Sequence, residues 1–177
     1  MIIKKTTFKD LFIVKQRNNK DKRGNLRETF NNKILKKNFV FNYCTTSKKN
    51  VLRGFHFQSK NKQSKYVNVL KGKILDVVID LRRSSKTFGK SFKIVLSKEN
   101  ALGLFIPKGF AHAYLSLEKE NIIYYQLDNY YYPKFESGII YDDPTVKIKW
   151  PKRKFKVSKK DKKLLTFKKF QLKFKSL

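Results

Sequence analysis

Between residues 51 and 127 the apolar and polar positions fall into short β-like runs broken by turn residues. Residues 65–70 and 73–81 are rich in β-branched side chains and meet at Lys71-Gly72, which predicts a hairpin. Ile74-Leu75-Asp76-Val77-Val78-Ile79 is apolar except for Asp76, so this strand is expected to be covered on both faces. Residues 91–96, 103–106, 110–117 and 122–129 complete the set. Strands at this spacing, with no long helical pattern between them, predict a sandwich or barrel.

The two ends of the chain read differently. Lys20-Asp21-Lys22-Arg23-Gly24-Asn25 is a turn signal between short β-like runs. Ser158-Lys159-Lys160-Asp161 has the form of a capping box, and Leu164, Phe167 and Phe170 follow at helical spacing. The expectation is one domain over residues 1–177, with a polar N-terminal arm up to about residue 35 and a basic helical tail from about residue 152.

Composition adds two constraints. Hydrophobic residues make up 40% of the 177 and aromatics 15%, enough apolar material for a core. Lys and Arg number 43 against 13 Asp and Glu, a formal charge of +30. Such an excess raises nucleic acid as a partner. Only seven of the basic residues are Arg, however, and the Lys are spread along the whole chain. Specific phosphate and base recognition favours the Arg fork, and an even Lys excess matches codon usage in an AT-rich genome. No nucleic-acid partner is therefore expected, although the field still attracts anionic substrates. The lone cysteine, Cys44, excludes an internal disulfide and has no local His to activate it, so a buried, inert thiol is expected. No window approaches the length of a membrane span, and the N-terminus has no apolar signal region, which predicts a cytoplasmic protein without membrane association.

The two histidines stand out chemically. His56 lies in Arg53-Gly54-Phe55-His56-Phe57-Gln58, and His112 follows Pro107-Lys108-Gly109-Phe110-Ala111. Alternation puts Phe110, His112, Tyr114 and Ser116 on one strand face, and Ala111, Ala113, Leu115 and Leu117 on the other. A metal-binding jelly roll commonly has several His and a Glu, with two His one residue apart; this chain has no such pair, so no metal is expected. The histidines are then either satisfied core residues or general bases. Among nine tyrosines, Tyr125 shares parity with Ile123 and Leu127 and should point inward, as a proton donor or as a hydrogen-bonded core residue.

Six stretches then match one family in order and spacing. They are Val51-Leu52-Arg53-Gly54-Phe55-His56-Phe57-Gln58, Gly72-Lys73-Ile74-Leu75-Asp76-Val77, Asp80-Leu81-Arg82, Lys86-Thr87-Phe88-Gly89, Ile106-Pro107-Lys108-Gly109-Phe110-Ala111-His112 and Asn129-Tyr130-Tyr131. Over nearly its whole length the chain resembles the dTDP-4-dehydrorhamnose 3,5-epimerases. The resemblance implies an all-β, cupin-like β-jelly roll, an antiparallel double sheet with short C-terminal helices. It implies an isomerase that uses no cofactor and inverts C3, C5 or both in a nucleotide-linked 4-keto-6-deoxy sugar, serving rhamnose and polysaccharide synthesis. Such a reaction needs a base on one ring face, an acid on the other and a cation near the developing oxyanion.

By resemblance His56 is the base, Asp161 its orienting carboxylate, Tyr125 the acid and Lys65 the enolate-stabilising cation. Asp161 would also serve as the capping residue of the tail helix, and Asp76 is a second candidate carboxylate. Arg23, Glu28, Arg53, His112, Glu136 and Lys160 match substrate-binding positions, and Tyr131 matches an aromatic that stacks on the nucleobase. The N-terminal arm would cross to a second subunit, giving a homodimer. Three positions depart from the family pattern. Phe41 stands for Gln, Tyr43 for Asn and Leu26 for an aromatic, all in the nucleotide-binding set. A single-centre epimerase, a ketoisomerase on another nucleotide sugar, and a non-catalytic binding jelly roll are the alternatives.

Overall fold

A computed structural model of the chain describes residues 1–175 and Leu177. Four short strands come first: β1 (Ile2–Lys5), β2 (Phe12–Lys15), β3 (Arg17–Asp21) and β4 (Gly24–Glu28). A one-turn helix, α1 (Asn32–Leu35), leads into β5 (Phe41–Lys48), β6 (Val51–Gln58), β7 (Lys65–Lys71) and β8 (Lys73–Asp80). Then follow β9 (Ser91–Ser97), β10 (Leu102–Ile106), β11 (Phe110–Ser116) and β12 (Glu120–Leu127). Two small strands, β13 (Glu136–Gly138) and β14 (Lys156–Val157), and helix α2 (Phe167–Lys173) follow.

The strands form two facing sheets and one separate hairpin. The first sheet runs β1-β2-β10-β7-β12-β5 and the second β13-β6-β11-β8-β9, with β14 alongside β6; β3 and β4 pair only with each other. This is the expected all-β, cupin-like double sheet. Its main core lies between the sheets, where Ile74 and Val78 of β8 and Phe110 and Tyr114 of β11 meet Val67, Val69, Ile123, Tyr125 and Leu127. The alternate residues Val77, Ile79, Ala111 and Ala113 face outward, and Phe167 and Phe170 of α2 cover them. The apolar run of β8 is thus covered on both faces, as its composition predicts. A seven-residue helix is marginal alone. Burial of its two phenylalanines, worth about 1.5–3 kcal/mol each, holds α2 in place. Among the described residues, no helix is long and apolar enough to cross a membrane.

Two expectations fail locally. β7 and β8 do not form a hairpin: β7 pairs with β10 and β12, and β8 with β11 and β9. The chain changes sheet at Gly72, which has φ +76°, and a Cβ there would overlap the carbonyl oxygen of Glu120. Periodicity cannot distinguish a hairpin from a sandwich corner, because both need a tight turn between two apolar strands. The tail helix also starts later than the capping box implies. Ser158 Oγ does accept the backbone N–H of Asp161 at 3.0 Å, but only a 3-10 turn, Asp161–Lys163, follows. Thr166 caps α2, leaving Leu164 outside it.

Candidate active site

The second sheet brings both histidines together. On β6, Phe55 and Phe57 belong to the outer core, so alternation turns His56 inward. His56 and His112 are cross-strand partners on β6 and β11. The close approach of these strands depends on Gly54. Its φ is +104°, and a Cβ would overlap the carbonyl oxygen of His112 and lie 2.8 Å from Ala113 Cα.

Each histidine has its own aspartate. His56 Nε2 donates to Asp161 Oδ1 at 2.8 Å, while Asp161 Oδ2 accepts the backbone N–H of Gly54 at 3.2 Å. Burial alone would raise the Asp161 carboxyl; its hydrogen bonds to His56, Gly54 and Ser158 and the His56 charge outweigh this and leave it low. Asp161 therefore holds the imidazole but does not cap the tail helix, because Thr166 takes that place. His112 Nε2 donates to Asp76 at 2.9 Å, in a pair that is buried on both sides. With Nε2 of His56 committed to Asp161, its Nδ1 is left 4.0 Å from Glu136 Oε1. The other oxygen of Glu136 binds Lys160 and accepts from Tyr131 Oη at 2.8 Å. Burial would raise Glu136, but Lys160 and Tyr131 hold it below the usual carboxylate range.

The first sheet supplies the opposite wall. Lys65 is at the start of β7, beside Leu127 of β12. Burial lowers its ammonium to about 8, opposed by the charges of Glu136 and Asp76. Tyr125 is inward and only 4% exposed. Burial first, then Tyr114, Tyr43 and Asp76, push its phenol well above the ordinary value, against a hydrogen bond from Thr45. Its ring lies 6.0 Å from that of His112, edge to face, and 4.8 Å from that of Tyr43, stacked at 19°.

A small cavity of about 70 Å³ opens between these walls, lined by His56, Lys65, Tyr43, Tyr131, Glu136 and Gln63 among others. His112 and Tyr125 sit behind the lining rather than in it. Lys160 reaches the site through Glu136, and Arg53, exposed on β6, donates to Ser47 Oγ at 3.2 Å. Arg23 and Glu28 are not brought to the cavity of their own chain. They lie on the β3–β4 hairpin, where Arg23 pairs with Asp21 at 2.7 Å and Glu28 accepts from Asn31. Gln58, Gln63 and Tyr43 line the cavity without having been singled out as site residues. Gln58 ends the His56 motif, and Tyr43 was visible only as a departure from a pattern. Cys44 is exposed, against the expectation of a buried thiol. β5 is an edge strand, and Cys44 takes the parity opposite to Tyr43, whose ring packs inward on Tyr125.

This arrangement offers a carboxylate-bound imidazole on one wall and an ammonium on the other, with the Tyr125 phenol behind that second wall, a set of groups able to hold and move protons. Comparison with known proteins places the chain among relatives of one kind. A sequence profile described as dTDP-4-dehydrorhamnose 3,5-epimerase matches residues 5–169. The dTDP-4-dehydrorhamnose 3,5-epimerase of Methanothermobacter thermautotrophicus is 41% identical over 152 residues, covering 83% of this chain and 82% of its own. That of Salmonella typhimurium is 39% identical over 158 residues, covering 85% and 86%. The crystal structure of the Elizabethkingia anophelis enzyme superposes with a TM-score of 0.88 at 35% identity, over 96% of this chain and 97% of its own. The Legionella pneumophila dTDP-6-deoxy-D-glucose-3,5-epimerase, solved in complex with dTDP-4-keto-L-rhamnose, gives 0.86 at 37%, covering 90% and 89%. The chain belongs to the dTDP-4-dehydrorhamnose 3,5-epimerase family and is an isomerase.

Proposed function

We propose that this isomerase inverts C3 and C5 of a dTDP-linked 4-keto-6-deoxy sugar, with His56 as base and Tyr125 as acid. The observation that carries the reading is the His56–Asp161 pair on one sheet, set against Lys65 and Tyr125 on the other. Asp161 accepts the Nε2–H hydrogen bond and so leaves the Nδ1 lone pair on the cavity side. A hydrogen on a carbon next to the C4 carbonyl is acidified, and Nδ1 removes it. The electron pair moves onto O4 as an enolate, where the Lys65 ammonium offsets the charge. Tyr125, kept protonated by burial, returns a proton to the opposite face of the same carbon. His56 then loses its proton to solvent and the phenolate regains one, so nothing is oxidised or reduced.

Arg53, His112, Glu136 and Lys160 are assigned to holding the sugar and diphosphate, and Tyr131, at the cavity mouth, to stacking on the base. Arg23 and Glu28 complete the site of a second subunit in a homodimer. The isolation of β3 and β4 as a hairpin of their own supports that reading. The dTDP assignment rests on the relatives' names and on the Legionella complex.

The test is proton NMR in D₂O on dTDP-4-keto-6-deoxyglucose. Washout at both C3 and C5 with inversion is expected. Washout at one carbon would reduce the activity to a single-centre epimerase, and no exchange with any nucleotide-linked 4-keto sugar would overturn the reading.

A further inference from the structure

We infer that Tyr43 is a positioning residue for Tyr125, and that its ring, lying flat on the Tyr125 ring, aims the phenol at the substrate carbon. The inference rests on the assignment of Tyr125 as the acid. Three observations converge on it. Tyr43 and Tyr125 are direct cross-strand partners on β5 and β12, so their side chains leave the same face of the sheet side by side. Their rings are 4.8 Å apart and within 19° of parallel, while the edge of His112 closes on Tyr125 at 6.0 Å. Tyr43 lines the cavity and is 36% exposed, whereas the ring beneath it is 4% exposed. Tyr43 therefore covers the acid.

The consequence is mechanical. A tyrosine on a strand has two side-chain torsions, and one wall alone would leave Tyr125 free to tilt. A stacked ring on one face and an imidazole edge nearby leave a single orientation, itself anchored because His112 is held by buried Asp76. Aromatic pairs of this kind attract beyond the area they bury, which biases an orientation. Phe41, 5.5 Å from Tyr43, packs against the main core and continues the aromatic wall.

The ratio of inversion to exchange reads this directly. A proton removed by His56 and returned by His56 after exchange with solvent gives washout with retention. Only delivery by Tyr125 gives inversion. In D₂O with dTDP-4-keto-6-deoxyglucose, Tyr43→Leu keeps apolar bulk but no ring. It should lower the inverted product per exchange event by roughly 10-fold, as misplaced catalytic groups do, a ratio in which any change in substrate binding at the cavity wall cancels. Tyr43→Phe keeps the ring and should restore the wild-type ratio. A wild-type ratio in Tyr43→Leu, or an equal fall in Tyr43→Phe, would overturn the inference. Tyr125→Phe, run alongside, separates the two failures. If Tyr125→Phe lowers the ratio and Tyr43→Leu does not, the positioning role is wrong. If Tyr125→Phe leaves the ratio unchanged, the assignment of the acid itself is wrong.

Discussion

Asp161 reaches back across 105 residues of sequence to accept the Nε2 hydrogen of His56 at 2.8 Å. The same carboxylate holds the Gly54 N–H on the strand that carries His56, so one side chain positions both the imidazole and its backbone. Ser158 Oγ in turn fixes Asp161 through its backbone N–H. The imidazole is oriented by a chain of contacts from the C-terminal segment, not by its own strand alone.

Breaking that relationship should cost turnover more than binding. Asp161→Asn presents an amide that can offer a donor to Nε2 and so favour the wrong tautomer. A loss of roughly 10³-fold in kcat, with KM changed by less than about 3-fold, is expected. His56→Ala should remove most turnover while nucleotide binding, followed by calorimetry, persists. Near-wild-type kcat in either variant would remove His56 from the role of base.

Lys65 sets an alkaline limit. Burial lowers its ammonium to about 8, so the cation proposed to face the enolate is present below that pH and lost above it. kcat should fall as pH rises through about 8, and Lys65→Met, weak throughout, should lack this limb. Unfolding is not expected to mimic the effect through Lys65. The folded chain holds this proton less tightly than the unfolded chain, whose value is the ordinary 10.5. Raising the pH between the two values relieves the cost of a buried charge and favours folding. Circular dichroism across the same range separates the two, and a flat kcat profile from pH 7 to 9.5 would contradict the role of Lys65.

Gly54 tolerates no side chain. An added Cβ meets the His112 carbonyl and Ala113 Cα, so β6 and β11 must separate and the two histidines lose register. Gly54→Ala should cost about 3 kcal/mol and lower Tm by roughly 6–12 °C in thermal denaturation. A Tm within two degrees of wild type would show that the strands have room to shift.

The net charge of +30 should speed capture of a substrate carrying a diphosphate. Raising the salt from about 20 to 500 mM should lower kcat/KM by roughly 10-fold and leave kcat nearly unchanged. A salt-independent kcat/KM would leave the charge without a part in substrate capture.

Much of the architecture was legible in the order of residues. The alternation around His112 and Tyr125 predicted which side chains turn inward, because a pleated strand has a period of two whatever surrounds it. The run Ile74–Ile79 predicted a strand covered on both faces, and α2 covers the outer one. The family resemblance named His56, Lys65, Tyr125 and Asp161 as candidates before any distance was known. Pattern failed where partners were chosen at long range. The turn at Gly72 links two sheets instead of pairing two strands, and the exposure of Cys44 follows from β5 being an edge.

Strand periodicity and the apolar supply for a core are local properties, so both are readable from the order of residues, whereas the candidate reactive groups were named by resemblance. Pairing is not local. Which carboxylate meets which imidazole, and that Tyr43 lies on Tyr125, depend on strands brought together from distant parts of the chain. Only the closing of the two sheets decides those contacts, because burial of the shared core selects one register among the many that local pattern allows.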